Sequence, residues 1–278
     1  MELNWLQSLI IGLCSGLTDV LPVSSQAHQG LLLTFFGGQS LEPMTRLMIR
    51  LASLLTLFLC CRGQIGRIRR QMRLLRLPKR NRTRTPDMAA IMDARIVQTA
   101  VWPMVAALIL YGFFPGLQGS LIWLALGSLL NAVVLYLPRL FRTGDKDSRL
   151  VTPFESIQMG MGAGAAWIPG VSSLGASYSV GILHGVDGGY MVHLAMMMHL
   201  VFNLGLAIYD VAAVIGGAAV VFHGAAVLSW SLAAGMAALG TWMGYGLFRG
   251  IARRSGLTGF SFYSFGIALF TFVLYLMV

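Results

Sequence analysis

Charge is what this 278-residue chain has least of: 11% of its residues are charged, with 10 Asp and Glu against 20 Lys and Arg. Soluble domains carry about a quarter charged residues, so an ordinary soluble protein is excluded and a membrane-embedded one is indicated. Cysteine is scarce too. Cys14, Cys60 and Cys61 show no metal-ligand spacing and read as small apolar packers. The five histidines form no ligand cluster, and His193 and His199, six apart on a helix, point to different faces. No Lys or Arg precedes Arg46, so the basic region of a cleaved signal peptide is missing and the first apolar segment is expected to be retained.

Hydrophobic residues, by contrast, make up 56% of the chain, and mean hydropathy is +0.74. Apolar stretches long enough to cross a bilayer, about twenty residues, lie near 41–61, 96–115, 118–137, 190–215, 219–248 and 257–278. The net charge of +10 is concentrated: ten of the twenty basic residues fall within 62–84. That placement fits a cytoplasmic loop obeying the positive-inside rule, with an amphipathic piece on anionic headgroups, better than a nucleic-acid site, so no nucleic-acid partner is expected.

Basic segments 62–84, 139–149 and 249–254 mark the cytoplasmic side. They are mutually consistent only if 154–186, interrupted by Gly, Pro and Ser, dips into the membrane and returns. Segment 5–38 has the same character. The two match at an offset of 148: Gly12 with Gly160, Gly16 with Gly164, Ser24-Ser25 with Ser172-Ser173, and Gly37 with Gly185; Pro22 and Pro169 differ from it by one residue. Three spans follow each segment, so the second unit is inserted upside down relative to the first. The expected fold is an all-α integral membrane protein forming one domain over 1–278, with six transmembrane helices and two re-entrant helical hairpins. Repeat one covers about 1–138 and repeat two about 154–278, with both termini periplasmic.

The polar residues cluster at the interruptions. In GLTDVLPVSSQAH (16–28) Pro22 ends one helix, and Ser24 or Ser25 can cap the next. IPGVSSLGAS (168–177) repeats the device, with Gly170 and Gly175 allowing close approach of a ligand. Two facing helix N-termini suit phosphate. His28 lies one turn beyond the serines and is expected to reach the same cavity, while Asp19 supplies a carboxylate to orient the His or hold a metal ion. The alternative is that these residues only permit close packing, with His28 hydrogen-bonded in the core. Arg46 and Arg50, four apart, share a helix face and can clamp a phosphate or snorkel toward headgroups. Asp210 and the pair Asp93 and Arg95 are expected to be interfacial, and the Met-rich run 195–199 to pack.

These motifs resemble the two signatures of the undecaprenyl-diphosphate phosphatase (bacitracin-resistance) family, and the likeness extends over nearly the whole chain. The resemblance implies a bacterial inner-membrane enzyme that removes one phosphate from the polyprenyl diphosphate carrier used in cell-envelope synthesis. It also implies a site open to the periplasm and a divalent cation, Mg2+ or Ca2+. Ser24, Ser25 and His28 match the family's serines and histidine, and Pro169, Gly170 and Ser172 its second loop. Ser15 and Asp19 stand where Glu is expected, Ser173-Leu174 where an Arg is expected, and Arg50 where Gln is typical. On this reading Ser25, His28 and Asp19 are catalytic, Asp19 is the metal ligand, and Ser24, Arg46, Arg50, Gly170, Ser172, Ser173 and Ser177 bind phosphate. A transporter or flippase of polyprenyl phosphate or another anionic lipid is the alternative, and a homodimer is left open.

Overall fold

The computed structural model describes residues 3–38, 40–78, 85–117, 119–141, 144–217, 224–254 and 257–277. Ten α-helices follow in order: α1 (Trp5–Asp19), α2 (Ser25–Phe35), α3 (Pro43–Arg76), α4 (Met88–Phe113), α5 (Leu121–Tyr136), α6 (Pro153–Gly164), α7 (Ser173–Leu183), α8 (Gly188–Gly217), α9 (Gly224–Arg254) and α10 (Thr258–Met277). No strand occurs among the described residues. Six of these helices, α3, α4, α5 with its 3-10 extension, α8, α9 and α10, are long and apolar enough to cross a bilayer. This is a multi-pass, all-helical membrane protein, with two pairs of short helices, α1/α2 and α6/α7, besides the spans.

The short pairs are built by matching local chemistry. Asn4 accepts from the Gln7 N–H at 2.8 Å while Gln7 Oε1 accepts from Asn4 N–H at 3.0 Å, closing a capping box at the start of α1. Thr152 and Glu155 close the same box on α6. The Ser24 side chain caps α2 and the Ser172 side chain caps α7. Beyond the ends of these two helices, Gly37 and Gly185 both turn with φ of 76°, a conformation only glycine takes without strain. Where α1 crosses α9, a Cβ on Gly12 or Gly16 would lie 2.3 or 2.0 Å from a carbonyl oxygen of Ala233 or Ala237. Helix α6 approaches α4 in the same way at Gly160 and Gly164.

Several expectations change here. The basic stretch after residue 61 is helix through Arg76, not loop, because Arg, Gln, Leu, Ile and Met sustain a helix until Pro78; residues 79–84 lie outside the described part. Asp93, expected to be interfacial, is buried against protein near the start of α4. It pairs with Arg67, folded back from that extension, and accepts from the Tyr190 hydroxyl at 2.7 Å. Arg95 is exposed. At the same end of the bundle Lys146 Nζ lies 2.8 Å from Glu155. Burial pushes the Glu155 carboxyl up, but the bonds from Lys146 and Thr152 outweigh it and hold the group below its ordinary range. Residues 142–143, in the second basic segment, lie outside the described part.

Candidate active site

The two interrupted turns meet at the centre of the molecule. Asn131, fully buried on α5, donates to the Pro22 carbonyl at 3.2 Å and accepts from the Ser172 N–H at 3.0 Å. The Ser172 hydroxyl also donates to the Leu21 carbonyl at 3.3 Å. Asn131 therefore clips the α1–α2 turn to the α6–α7 turn, a role that nothing in its local sequence signals.

A cavity of about 70 Å³ lies between the turns, and Ser24, Ser25, Gln26, Val171, Ser172 and Ser173 bring the first turns of α2 and α7 to its wall. First-turn N–H groups have no intrahelical acceptor, so both helices present partial positive charge there. Arg46 and Arg50 of α3 line the same cavity and also a larger cleft of about 850 Å³, into which it continues past Gln26 and Gln29.

Helix α8 forms the remaining wall. Asp210, with 1% of its side chain exposed, lies between the two guanidiniums: its Oδ1 is 2.9 Å from Arg46 Nε, close but off-line for a hydrogen bond, and its Oδ2 accepts from Arg50 Nε. Arg50 also donates to Asn203 Oδ1 at 3.3 Å. The Asn203 amide in turn reaches Asp19 at 3.2 Å and His199 Nε2 at 2.8 Å, and His199 Nε2 lies 3.5 Å from Asp19 Oδ2. The result is one connected polar network, Arg46–Asp210–Arg50–Asn203–His199–Asp19. Asp210, expected to be interfacial and apart from the site, is buried against protein and pairs with both of the site's arginines. His199 and Asn203 were missed, although positions 199, 203 and 210 fall within about 40° on a helical wheel.

Ser24, Ser25, Asp19, Arg46, Arg50, Ser172 and Ser173 are brought together as expected. Three others are not. His28 is absent from the cavity wall: Nδ1 meets the Ser24 carbonyl at 2.7 Å, Nε2 meets the Tyr263 hydroxyl at 2.7 Å, and the two rings stack. At ~100° per residue Ser25, Gln26 and Gln29 define the cavity side of α2, which leaves His28 turned toward α10. Ser177, fully buried one turn further along α7, donates to the Leu174 carbonyl and does not reach the cavity. Gly170, with φ of 100°, makes room for α5 rather than for a ligand, since a Cβ there would lie 2.5 Å from the Ser128 nitrogen. Gly175 packs on Pro22 and Leu135 in the same sense.

The family pattern of the bacitracin resistance protein BacA matches residues 8–270. The chain belongs to the BacA family. Among its relatives, undecaprenyl-diphosphatase 1 of Shouchella clausii is 26% identical over 275 residues, covering 98% of this chain and 96% of the relative. Undecaprenyl-diphosphatase 2 of Halalkalibacterium halodurans is 26% identical over 277 residues, covering 96% and 95%. An undecaprenyl-diphosphatase of a Nocardioides species is 30% identical over 213 residues, or 74% of each chain.

The divalent cation implied by the BacA resemblance can be tested against the donors present. Ca2+ takes six to eight oxygen ligands, and Mg2+ needs one or two carboxylates besides phosphate and water. Among the described residues no three of His, Cys, Asp and Glu gather as a metal site. Asp210 is neutralised by two guanidiniums, and Asp19 is held by Asn203 beside His199. These donors are too few for Ca2+, and Mg2+ would have to take Asp19, the one carboxylate on the cavity wall, from Asn203 and sit facing Arg46 and Arg50, so the donor set fits a dication poorly.

Proposed function

We propose that the chain is a membrane-embedded undecaprenyl-diphosphate phosphatase, releasing phosphate from the lipid carrier so that it re-enters cell-envelope synthesis. The observation that carries the proposal is the pair Arg46 and Arg50, held by one buried carboxylate and facing a cavity walled by two helix N-termini. That is a built site for a phosphate-rich group. The family match and relatives named as undecaprenyl-diphosphatases point the same way.

In this reading the arginines and the first-turn N–H groups of α2 and α7 hold the terminal phosphate. Ser25 Oγ, in the cavity, attacks its phosphorus. The bond to the bridging oxygen breaks, its electron pair leaves with the lipid monophosphate, and the serine proton, directed at the Ser15 carbonyl at 3.3 Å in the resting site, passes to the His199–Asp19 pair on the same cavity wall. Water then cleaves the phosphoserine and frees orthophosphate. His28, braced by Tyr263, fixes the start of α2 and has no chemical role.

The reading places α1/α2 and α6/α7 as re-entrant hairpins of an inverted repeat in a bacterial inner membrane. Support comes from the 148-residue correspondence of capping boxes, cap serines and φ-positive glycines. Helix α3 supports an orientation: Arg46 and Arg67 are 21 residues apart, about 30 Å on a helix and one hydrocarbon thickness. The basic end is cytoplasmic by the charge rule, so the cleft beside Arg46 opens to the periplasm.

The test is phosphate release from undecaprenyl diphosphate by purified variants. Ser25→Ala and His199→Ala should each lower the rate at least roughly a hundredfold, and His28→Ala far less. Folded His199→Ala protein with unchanged activity would overturn the assigned chemistry. Lipid movement in liposomes without phosphate release would favour a flippase.

A further inference from the structure

The same arginine pair carries a consequence for how the substrate is held. We infer that this chain binds its diphosphate without a divalent cation, the positive charge coming from Arg46 and Arg50. The inference rests on the phosphatase reading of the cavity and adds to it the means of recognition.

Three observations converge. The carboxylate on the cavity wall, Asp19, accepts from Asn203 and lies 3.5 Å from His199 Nε2, and Asp210 behind the wall bridges the two guanidiniums. A dication would have to displace these partners and then sit among fixed like charges. Second, the arginines keep donors in reserve. A guanidinium carries five N–H groups in a planar fork. Arg50 uses Nε for Asp210 and Nη1 for Asn203, while Arg46 meets Asp210 through Nε, so N–H groups on both remain for phosphate oxygens. Third, the pair lines both the inner cavity and the larger cleft, so one set of donors spans the path from the opening to Ser25. Asp210 acts here as a positioning residue, keeping two like charges side by side on one helix face.

The experiment uses the purified full chain in detergent micelles, assayed for phosphate release from undecaprenyl diphosphate and, separately, for binding of farnesyl diphosphate by calorimetry. Both are run in excess EDTA and again with Mg2+ or Ca2+. Release in EDTA within about twofold of that with metal supports the inference, as does metal-free binding that Arg50→Gln weakens roughly ten- to a hundredfold. Release that requires added cation overturns it and leaves the phosphatase reading intact. Absence of release under both conditions defeats the phosphatase reading, and calorimetry then decides the inference alone: binding in EDTA upholds it, and no binding overturns it. Should Arg50→Gln fail to fold because Asp210 is left with one partner, Arg50→Lys, which keeps a cation beside that carboxylate, carries the comparison instead. Arg50→Lys keeps the charge without the fork and is expected to bind more weakly than wild type in EDTA.

Discussion

Replacing Asp210 by Asn tests the network at its pivot. The substitution keeps the side chain's shape but removes the negative charge between Arg46 and Arg50, whose side chains are 29% and 15% exposed. Removing one partner of a buried ion pair costs roughly 3–5 kcal/mol. Arg46 recovers part of this from water, so the expected loss is about 2–4 kcal/mol. For a chain of this size that corresponds to a fall in melting temperature of roughly 5–10 °C, read by thermal unfolding in detergent. The two guanidiniums are then short of an anion, so inorganic phosphate should raise the melting temperature of Asp210→Asn more than that of wild type. An unchanged melting temperature, or an equal phosphate response in both proteins, would refute the reasoning.

Four further outcomes follow from individual contacts. Gly127→Ala should destabilise the protein by about 1–3 kcal/mol in thermal unfolding, because the new Cβ would lie 1.8 Å from the Pro169 carbonyl oxygen and push α5 off the second turn. Ser177→Ala should retain phosphate release within about twofold, since its hydroxyl only bonds the Leu174 carbonyl. Tyr263→Phe removes the hydroxyl that meets His28 Nε2 and should lower stability by about 1 kcal/mol while phosphate release continues. The Glu155 carboxyl is lowered in the folded protein, so its contribution is full above the unfolded value near ~4.3 and is lost as pH falls through the folded value. Wild-type melting should therefore drop in that acidic window more steeply than that of Glu155→Gln.

How much of this was legible before the structure depends on the range of the signal. The spans were readable because each is a long apolar run, and α2 and α7 because Pro, Ser and Gly mark their starts and ends within a few residues. Arg46 and Arg50 stood out as charges four apart in a span. Their partner did not, since Asp210 lies 160 positions from Arg50 and looked like a residue near a helix end. His199 was set aside by comparison with His193, when the informative comparison was with Asn203 and Asp210 on the same face. His28 misled in the opposite direction. Its place one turn after the cap serines is a fact of sequence, but its direction is set by Tyr263, contributed by the last helix. Glycines read as room for a ligand turned out to be room for neighbouring helices at 170 and 175, because a bare backbone looks the same whichever neighbour approaches it.

The central claim is most directly tested by incubating purified, monodisperse wild-type protein with undecaprenyl diphosphate and counting both products. The account predicts one orthophosphate and one undecaprenyl phosphate for each substrate consumed, with turnover strongly reduced in Ser25→Ala. Folded wild-type protein that leaves the diphosphate intact, with or without added divalent cation, would contradict it.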